Sequence, residues 1–249
     1  MTDASSLRIK IFADGAGLES IAKLYANPLI KGFTTNPTLM RKAGVENYER
    51  FAREVLEAVR DRPISFEVFS DDFDEMERQA LRISSWAENV YVKVPVTNTK
   101  GDPSEAVVRK LADQGVKVNV TALMTPAQVG EVVEWLAGGP PCYVSVFAGR
   151  IADSGRDPVP LMAEALELVG RHPNVELIWA SPREVLNLVQ ADAIGCHVIT
   201  VTHDLLAKLD SLGRDLDEFS LETVRMFHRD GLAAGYALAG EPAAFPAQR

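Results

Sequence analysis

The segment Val-Tyr-Val-Lys-Val-Pro-Val, residues 90–96, is the stretch that decides the fold. Valine and tyrosine favour strands, and a short apolar run without polar alternation is typical of a parallel strand buried on both faces. Similar runs recur along the chain, and longer segments of helical period separate them. The predicted strands are residues 8–13, 32–35, 64–69, 90–96, 117–123, 142–148, 175–180 and 197–202.

The segments between these runs have the spacing of amphipathic helices. Tyr48, Phe51, Val55 and Val59 follow one another at intervals that place one apolar stripe on a helix. In four places a residue that can cap a helix precedes a proline, which is the pattern of an N-cap followed by the first helical position. These predicted helix starts are Asp102-Pro103, Thr125-Pro126, Asp157-Pro158 and Ser181-Pro182.

Eight strand-helix units in 249 residues predict an α/β fold, a single (β/α)₈ TIM barrel. Periodicity alone also allows an open, doubly wound sheet. We expect one domain over residues 1–249, with the barrel at about 8–212. An additional C-terminal helix is predicted at about 218–239, and the tail 240–249, rich in proline and alanine, is expected to be loose.

The amino-acid composition of the chain limits the classes of binding partner that we expect. The net charge is −9 and there is no basic stripe, so we expect no nucleic acid and no membrane as a partner. No apolar run approaches the length of a transmembrane helix, and the first residues lack the pattern of a secretory signal, which favours a cytoplasmic location. Two cysteines, Cys142 and Cys196, and four dispersed histidines predict no metal site.

The predicted strands end in polar residues, which are informative because the active site of such a barrel lies at the carboxyl ends of its strands. The set contains one amine, two carboxylates and several neutral hydrogen-bonding groups. In chain order these residues are Asp14, Thr34, Asn36, Glu67, Lys93, Asn119, Thr121, Ser145 and Ser181.

Lys93 is the sharpest feature of this set, because an unpaired ammonium is costly to bury among valines. Burial favours the neutral amine, which is a nucleophile toward a carbonyl carbon. The simpler interpretation is a lysine that pairs with a carboxylate inside the barrel. Asp14 and Glu67 fit both interpretations, since they can transfer protons in a Schiff-base cycle or neutralise the lysine.

A second feature is a possible anion site. Ser181-Pro182-Arg183 follows a predicted strand and is expected to open a helix, where backbone N–H groups and a guanidinium would favour an anion. Arg150 is a second cation at a strand end, and two arginines can hold one phosphate. The alternative is an ordinary helix cap with a solvated arginine.

Five segments, in this order on successive strands, resemble the transaldolase family, in particular its short branch that also contains fructose-6-phosphate aldolase. They are Gly-Phe-Thr-Thr-Asn-Pro-Thr (32–38), Val-Lys-Val-Pro-Val-Thr (92–97), Asn-Val-Thr-Ala-Leu (119–123), Val-Phe-Ala-Gly-Arg-Ile (146–151) and Ala-Ser-Pro-Arg (180–183). The resemblance extends over about residues 9–209. It implies a (β/α)₈ barrel whose fourth strand carries the Schiff-base lysine, here Lys93, and it implies no cofactor.

The resemblance also implies a role for each matching residue. Asp14 would take and return the proton of the C4 hydroxyl of the donor, and Glu67 with Thr121 would act through a water when the imine forms. Asn36, Asn119 and Ser145 would hold the hydroxyls of the ketol unit, and Thr34 would line the site, with Phe147 also among the substrate-binding residues. The phosphate of the sugar would contact Arg150, Ser181 and Arg183.

Transfer and simple aldol cleavage share the lysine and the aspartate. The transferase pattern is matched at Glu67, Asn119, Ser145 and Phe147. The aldolases resemble a pattern with glutamine in place of Glu67, alanine in place of Ser145 and tyrosine in place of Phe147. These residues favour a transaldolase that moves a dihydroxyacetone unit from fructose 6-phosphate or sedoheptulose 7-phosphate to erythrose 4-phosphate or glyceraldehyde 3-phosphate. A fructose-6-phosphate aldolase, a transaldolase for an unusual sugar and a non-catalytic sugar-phosphate binder are the alternatives.

Three departures from the family pattern bear on the sugar specificity. The first motif reads Phe-Ala-Asp-Gly-Ala (12–16) rather than Leu-Asp-Thr, Pro182 replaces an aromatic residue, and the stretch 98–103 is longer than usual. In the short branch the last helix commonly reaches a neighbouring subunit. The predicted C-terminal helix is apolar enough to do so here, which makes a homo-oligomer possible.

Overall fold

The computed structural model describes residues 6–236 and 238, in which short strands and helices alternate. The strands β1 to β8 are Lys10–Asp14, Ile30–Thr34, Ile64–Glu67, Val90–Pro95, Val118–Leu123, Cys142–Val146, Val175–Trp179 and Val198–Thr202. The helices α1 to α11 are Leu18–Tyr25, Pro37–Lys42, Tyr48–Ala58, Phe73–Ser84, Glu105–Asp113, Pro126–Leu136, Ala148–Asp153, Pro158–Val169, Leu186–Ala193, His203–Leu206 and Leu216–Ala234.

The eight strands form a closed parallel barrel in sequence order. Closure comes from β8, which pairs with β1 along its whole length, from Lys10 opposite Val198 to Asp14 opposite Thr202. This pairing confirms the TIM barrel and excludes the open sheet. All the predicted strands are present, with boundaries that differ by a few residues.

Apolar side chains fill both sides of the barrel wall. Outside the wall, the buried stripes of the helices pack on the strands, as Phe51 and Val55 do from α3. Inside, Phe12 and Tyr143 meet edge to face at 5.6 Å, and Tyr91 lies 4.4 Å from Tyr143 between ring centroids. These rings fill the barrel interior, so the polar residues of the strand ends lie at its other end.

Two of the four predicted helix starts are confirmed. Thr125 caps α6 in a capping box with Gln128, and Asp157 caps α8. The start predicted at Asp102-Pro103 is wrong, because α5 begins at Glu105. Asp102 instead accepts a hydrogen bond from the side chain of Asn98, and Pro103 bridges to Thr97, so this segment is a closed loop.

The C-terminal helix α11 is present but shorter at its end than the predicted 218–239. It begins at Leu216, capped by Asp215, and ends at Ala234 because Gly235 takes the left-handed conformation with φ of 64°. The tail predicted at 240–249 lies outside the described residues. No described helix has the length and apolar character needed to cross a bilayer.

Gly32 in β2 offers a test of barrel packing. A Cβ at this position would lie 2.6 Å from the ring of Phe12, whereas a Cβ at Gly231 in α11 would meet nothing within 4 Å. We expect Gly32→Ala to lower the free energy of unfolding by about 1–3 kcal/mol through overpacking. The control Gly231→Ala should raise it by up to about 1 kcal/mol. Urea denaturation of both variants measures this, and equal stability of the two would contradict the packing.

Candidate active site

The carboxyl ends of the strands open into a cavity of about 510 Å³. Eleven of the predicted site residues line it: Asp14, Thr34, Asn36, Glu67, Lys93, Thr121, Ser145, Phe147, Arg150, Ser181 and Arg183. Asn119 alone among the predicted residues does not line the cavity, and it is fully buried. Barrel closure therefore brings together residues that are dispersed over most of the chain.

Lys93 lies in the middle of β4, and its side chain reaches the cavity although the residue is only 6% exposed. Its Nζ donates a hydrogen bond to the backbone oxygen of Thr35 at 3.1 Å. A carboxylate oxygen of Glu67 lies 3.3 Å away, because Glu67 is directly opposite Lys93 in the neighbouring strand. The pairing with a carboxylate is thus present, and it holds the amine at the cavity wall.

Asp14 ends β1 and is held by a pair of threonines. The hydroxyl of Thr34 donates to Asp14 Oδ1 at 2.8 Å and lies 2.5 Å from the hydroxyl of Thr200. Burial raises the pKa of Asp14, while the charge of Lys93 and the Thr34 hydrogen bond act against this rise. Asp14 is therefore a carboxylate with increased proton affinity, as a proton-transfer group requires.

Glu67 and Thr121 lie on either side of Lys93, on β3 and β5. The backbone oxygen of Glu67 accepts a hydrogen bond from the hydroxyl of Tyr48 at 2.7 Å, which fixes the end of β3. Thr121 Oγ1 is buried and has no hydrogen-bond partner among the described residues. Since buried hydroxyls are normally paired, this oxygen is suited to a partner in the cavity.

Asn119 lies beneath the cavity and links two strands. Its side-chain nitrogen donates to Ser65 Oγ at 3.0 Å, and its oxygen accepts from Ser145 Oγ at 2.7 Å. Ser145 lines the cavity whereas Asn119 does not, so within this structure Asn119 acts on the cavity by orienting the hydroxyl of Ser145.

The two arginines of the cavity have different surroundings. The guanidinium of Arg150, on α7, lies 5.3 Å from the ring centre of Phe147. Arg183 forms a two-point ion pair with Asp153, with Nε at 3.0 Å from Oδ1 and Nη2 bonded to Oδ2. Hydrogen bonding to Arg183 keeps the pKa of Asp153 below its usual range, so this pair stays charged.

Close backbone packing holds the two arginine segments together. A Cβ on Gly149 would lie 1.5 Å from the backbone oxygen of Ser181, so the β6 and β7 ends meet in a way that only glycine permits. Ser181 itself takes a left-handed φ of 62°, a conformation that costs energy for a residue other than glycine.

The helix start predicted at Ser181-Pro182 is wrong. The helix α9 begins at Leu186, and the backbone N–H groups of Arg183 and Glu184 both donate to Asn187 Oδ1. Those N–H groups are therefore used within the protein, so the predicted anion site cannot use them as a helix terminus.

Sequence analysis missed three supporting residues: Thr200, Tyr48 and Asp153. Thr200 lies two residues before the end of β8 and so faces the same side as Thr202, which the period of a strand predicts once β8 is placed. The sequence places Tyr48 only in an apolar helix stripe, and no role is predicted for Asp153. The described residues contain no group of three or more side chains suited to a metal ion.

The sequence has clear relatives. A family model described as Transaldolase/Fructose-6-phosphate aldolase matches residues 11–236. A probable transaldolase from Methanococcus maripaludis is 34% identical over 202 residues, which is 81% of this chain and 89% of the relative. A probable transaldolase from Pelotomaculum thermopropionicum is 34% identical over 215 residues, 86% of this chain and 94% of the relative.

Solved structures show the same fold at low sequence identity. An HpcH/Hpal aldolase/citrate lyase family protein from Burkholderia cenocepacia aligns with a TM-score of 0.55 and 16% identity, over 87% of this chain and 95% of that chain. Fold and cavity together define a (β/α)₈-barrel enzyme with a buried lysine between carboxylates at its strand ends. The chain belongs to the transaldolase and fructose-6-phosphate aldolase family, and it is an enzyme of the transaldolase type.

The contact between Thr34 and Asp14 predicts a change in titration. Thr34→Val removes a hydrogen bond that lowers the pKa of Asp14, so this pKa should rise further. The control Thr35→Val removes a buried hydroxyl that donates to the backbone of Ser65 and should leave the pKa of Asp14 unchanged. A ¹³C NMR titration of the aspartate carboxyls, assigned with Asp14→Asn, measures both. A lower or unchanged pKa in Thr34→Val would refute the contact.

Proposed function

We propose that this enzyme transfers a dihydroxyacetone unit between sugar phosphates through a Schiff base on Lys93. The donors are fructose 6-phosphate or sedoheptulose 7-phosphate, and the acceptors are erythrose 4-phosphate or glyceraldehyde 3-phosphate. The observation that carries this proposal is the placement of Lys93 Nζ at the cavity, 3.3 Å from Glu67, with Asp14 lining the same cavity. Amine and carboxylates are the groups that imine formation and proton transfer require.

In the first half of the reaction, Lys93 Nζ attacks the C2 carbonyl of the ketose and forms a carbinolamine. Loss of water then gives the protonated imine. We assign these proton transfers to Glu67, acting through a water, with the buried hydroxyl of Thr121 as the second partner of that water. The short separation of Glu67 and Lys93 and the unsatisfied Thr121 Oγ1 support this assignment.

In the second half, the bond between C3 and C4 breaks and its electrons pass to the imine, which becomes an enamine. Asp14 accepts the proton of the C4 hydroxyl, so that the leaving fragment departs as an aldose phosphate. The raised pKa of Asp14 suits it to take this proton and to return it when the acceptor aldehyde adds. The protonated imine is itself the electron sink, so the scheme requires no cofactor.

The remaining cavity residues bind the substrate in this scheme. Thr34, Asn36 and Ser145 contact the hydroxyls of the ketol unit, with Asn119 orienting Ser145 and Phe147 forming part of the wall. Arg150, Ser181 and Arg183 contact the phosphate. Asp153 keeps the guanidinium of Arg183 at the cavity mouth, which leaves Arg150 as the cavity arginine without a carboxylate partner among the described residues.

Release of glyceraldehyde 3-phosphate from fructose 6-phosphate tests the proposal. It should require erythrose 4-phosphate, because water does not replace the acceptor aldehyde. Lys93→Met should abolish both release and the borohydride-trapped adduct, whereas the control Lys117→Met, at a half-buried lysine that precedes β5, should keep both. Asp14→Ala should still be trapped but should turn over about 10²–10⁴-fold more slowly.

Other outcomes have definite meanings. Release without erythrose 4-phosphate would identify an aldolase-type lyase and would refute transfer. A trapped adduct at wild-type yield in Lys93→Met would refute the Schiff base at this residue. An adduct without release in the wild-type enzyme would indicate a different sugar substrate.

The exposed apolar surface of α11 supports a second proposal, a homo-oligomer. None of the residues of this helix is buried, and Val224 and Phe227 are 59% and 66% exposed. Exposed apolar surface of this extent is typical of a protein interface. We therefore propose that α11 packs against a second copy of the chain.

Light scattering coupled to size-exclusion chromatography tests the oligomer. The wild-type protein should have the mass of two or more copies, and Phe227→Asp should reduce this mass because a buried carboxylate at the interface is costly. The control Leu186→Asp changes an exposed leucine on α9 and should leave the mass unchanged. A monomeric wild-type protein would refute the proposal.

A further inference from the structure

A second concavity adjoins the active-site cavity. This side basin has a volume of about 630 Å³, and its own lining includes Gly15, Ala16, Gly17, Lys42, His203 and Lys208. It shares Asp14, Arg183 and Thr202 with the active-site cavity. Asp14 therefore lies on the boundary between the two spaces, so a substrate that extends past this carboxylate enters the basin.

The small residues after Asp14 provide the space. A Cβ on Gly15 would lie 2.8 Å from Nε2 of His203, so a larger residue at this position requires the His203 ring to shift. At Gly17 a Cβ would meet only the side chain of Ser20, at 3.4 Å or more. This is the segment in which the sequence departs from the Leu-Asp-Thr pattern, and its residues 15–17 line the basin beside Asp14.

The charges of the basin favour an anion. Lys42, at the end of α2, has no carboxylate within ion-pair distance among the described residues, and Lys208 attracts only Asp204. Arg183 adds a third cation on the shared wall, although Asp153 partly neutralises it. Burial lowers the pKa of His203, so its ring offers hydrogen bonding near neutral pH but little charge.

The carboxylates of the basin offset these cations only in part, since Asp204 attracts Lys208 whereas Lys42 has no ion pair among the described residues. In the proposed function Asp14 accepts and returns a proton, and its pKa is raised. Asp204 is hydrogen-bonded to the side chain of Thr202. The lysines are thus available to an anionic group that lies beyond Asp14. The sugar supplies such a group, since the C4 hydroxyl is at Asp14 and the chain continues from there, away from Lys93, to a terminal phosphate.

We propose that the side basin binds the terminal phosphate of a five-carbon aldose phosphate acceptor, through Lys42 and Lys208. This inference rests on the proposed function, because it fixes the substrate relative to Lys93 and Asp14. The enamine carbon C3 attacks the aldehyde carbon of the pentose phosphate, Asp14 returns its proton to the new C4 hydroxyl oxygen, and hydrolysis of the imine releases an eight-carbon ketose phosphate. Shorter acceptors keep their phosphate at Arg150 and Ser181.

The test compares acceptors in pairs that differ only in the phosphate: erythrose 4-phosphate with erythrose, and ribose 5-phosphate with ribose. Fructose 6-phosphate is the donor, and the ratio of kcat/KM within each pair isolates the contribution of the phosphate. In the double variant Lys42→Met/Lys208→Met, the five-carbon ratio should fall about tenfold or more, the effect of losing a charge-assisted contact. The four-carbon ratio should stay within about twofold of wild type.

The control is Lys23→Met/Lys31→Met, which removes two exposed lysines outside the basin and should leave both ratios unchanged. The inference would be overturned if the five-carbon kcat/KM ratio of the Lys42→Met/Lys208→Met variant equalled that of the wild type. It would also be overturned if the four-carbon and five-carbon ratios fell equally. Calorimetric titration with ribose 5-phosphate and ribose separates this failure from that of the proposed function. If no adduct is trapped on Lys93, the proposed function fails. The calorimetric titration then still shows whether the basin binds the phosphate, because such binding should require both the phosphate group and the lysines Lys42 and Lys208.

Discussion

The parallel pairing between β8 and β1 is the constraint on which the rest of the structure depends. It continues from Lys10 opposite Val198 to Asp14 opposite Thr202 and converts eight strands into a ring. In an open sheet the first strand would be remote from the last, and Asp14 would have no access to Thr200 or His203. Closure places the carboxylate of the first strand and the amine of the fourth on the wall of one cavity.

Burial then gives each ionisable group of this cavity a different environment. Lys93 is held by a backbone carbonyl and by Glu67, while Asp14 is held by a hydroxyl pair, Thr34 and Thr200. Two carboxylates near one amine can take different roles only when their surroundings differ. The barrel provides this difference, because β1 and β3 approach the cavity from opposite sides of β2.

Much of the fold and the cavity lining was predictable from the sequence. Buried parallel strands have a strong apolar signature, and polar residues at their carboxyl ends must converge once the barrel closes, which is why Asp14, Glu67 and Lys93 were found. Helix starts were less predictable, because a potential capping residue before a proline does not always begin a helix. Asp102 instead forms a hydrogen bond within a closed loop, and Ser181 takes a left-handed backbone conformation.

Tertiary contacts between polar residues that are distant in the chain could not be predicted from the sequence. The ion pair of Arg183 with Asp153 and the link from Ser145 through Asn119 to Ser65 join segments whose separation carries no local pattern. The resemblance predicted that Asn119 contacts substrate, but it did not predict the hydrogen bonds of Asn119 to Ser65 and Ser145. Such contacts depend on how strand ends and loops meet above the barrel, which no periodicity encodes.

The contact of Gly149 with the backbone oxygen of Ser181 has a mechanical consequence. Arg150 follows Gly149 directly and Arg183 lies two residues after Ser181, so both cations are attached to backbone segments that touch without an intervening side chain. A side chain at position 149 would not fit between these segments, so their close approach depends on the glycine. The backbone positions of the two arginines are therefore fixed relative to each other, whereas the glycines that follow β1 lie beside Arg183 in the adjoining side basin.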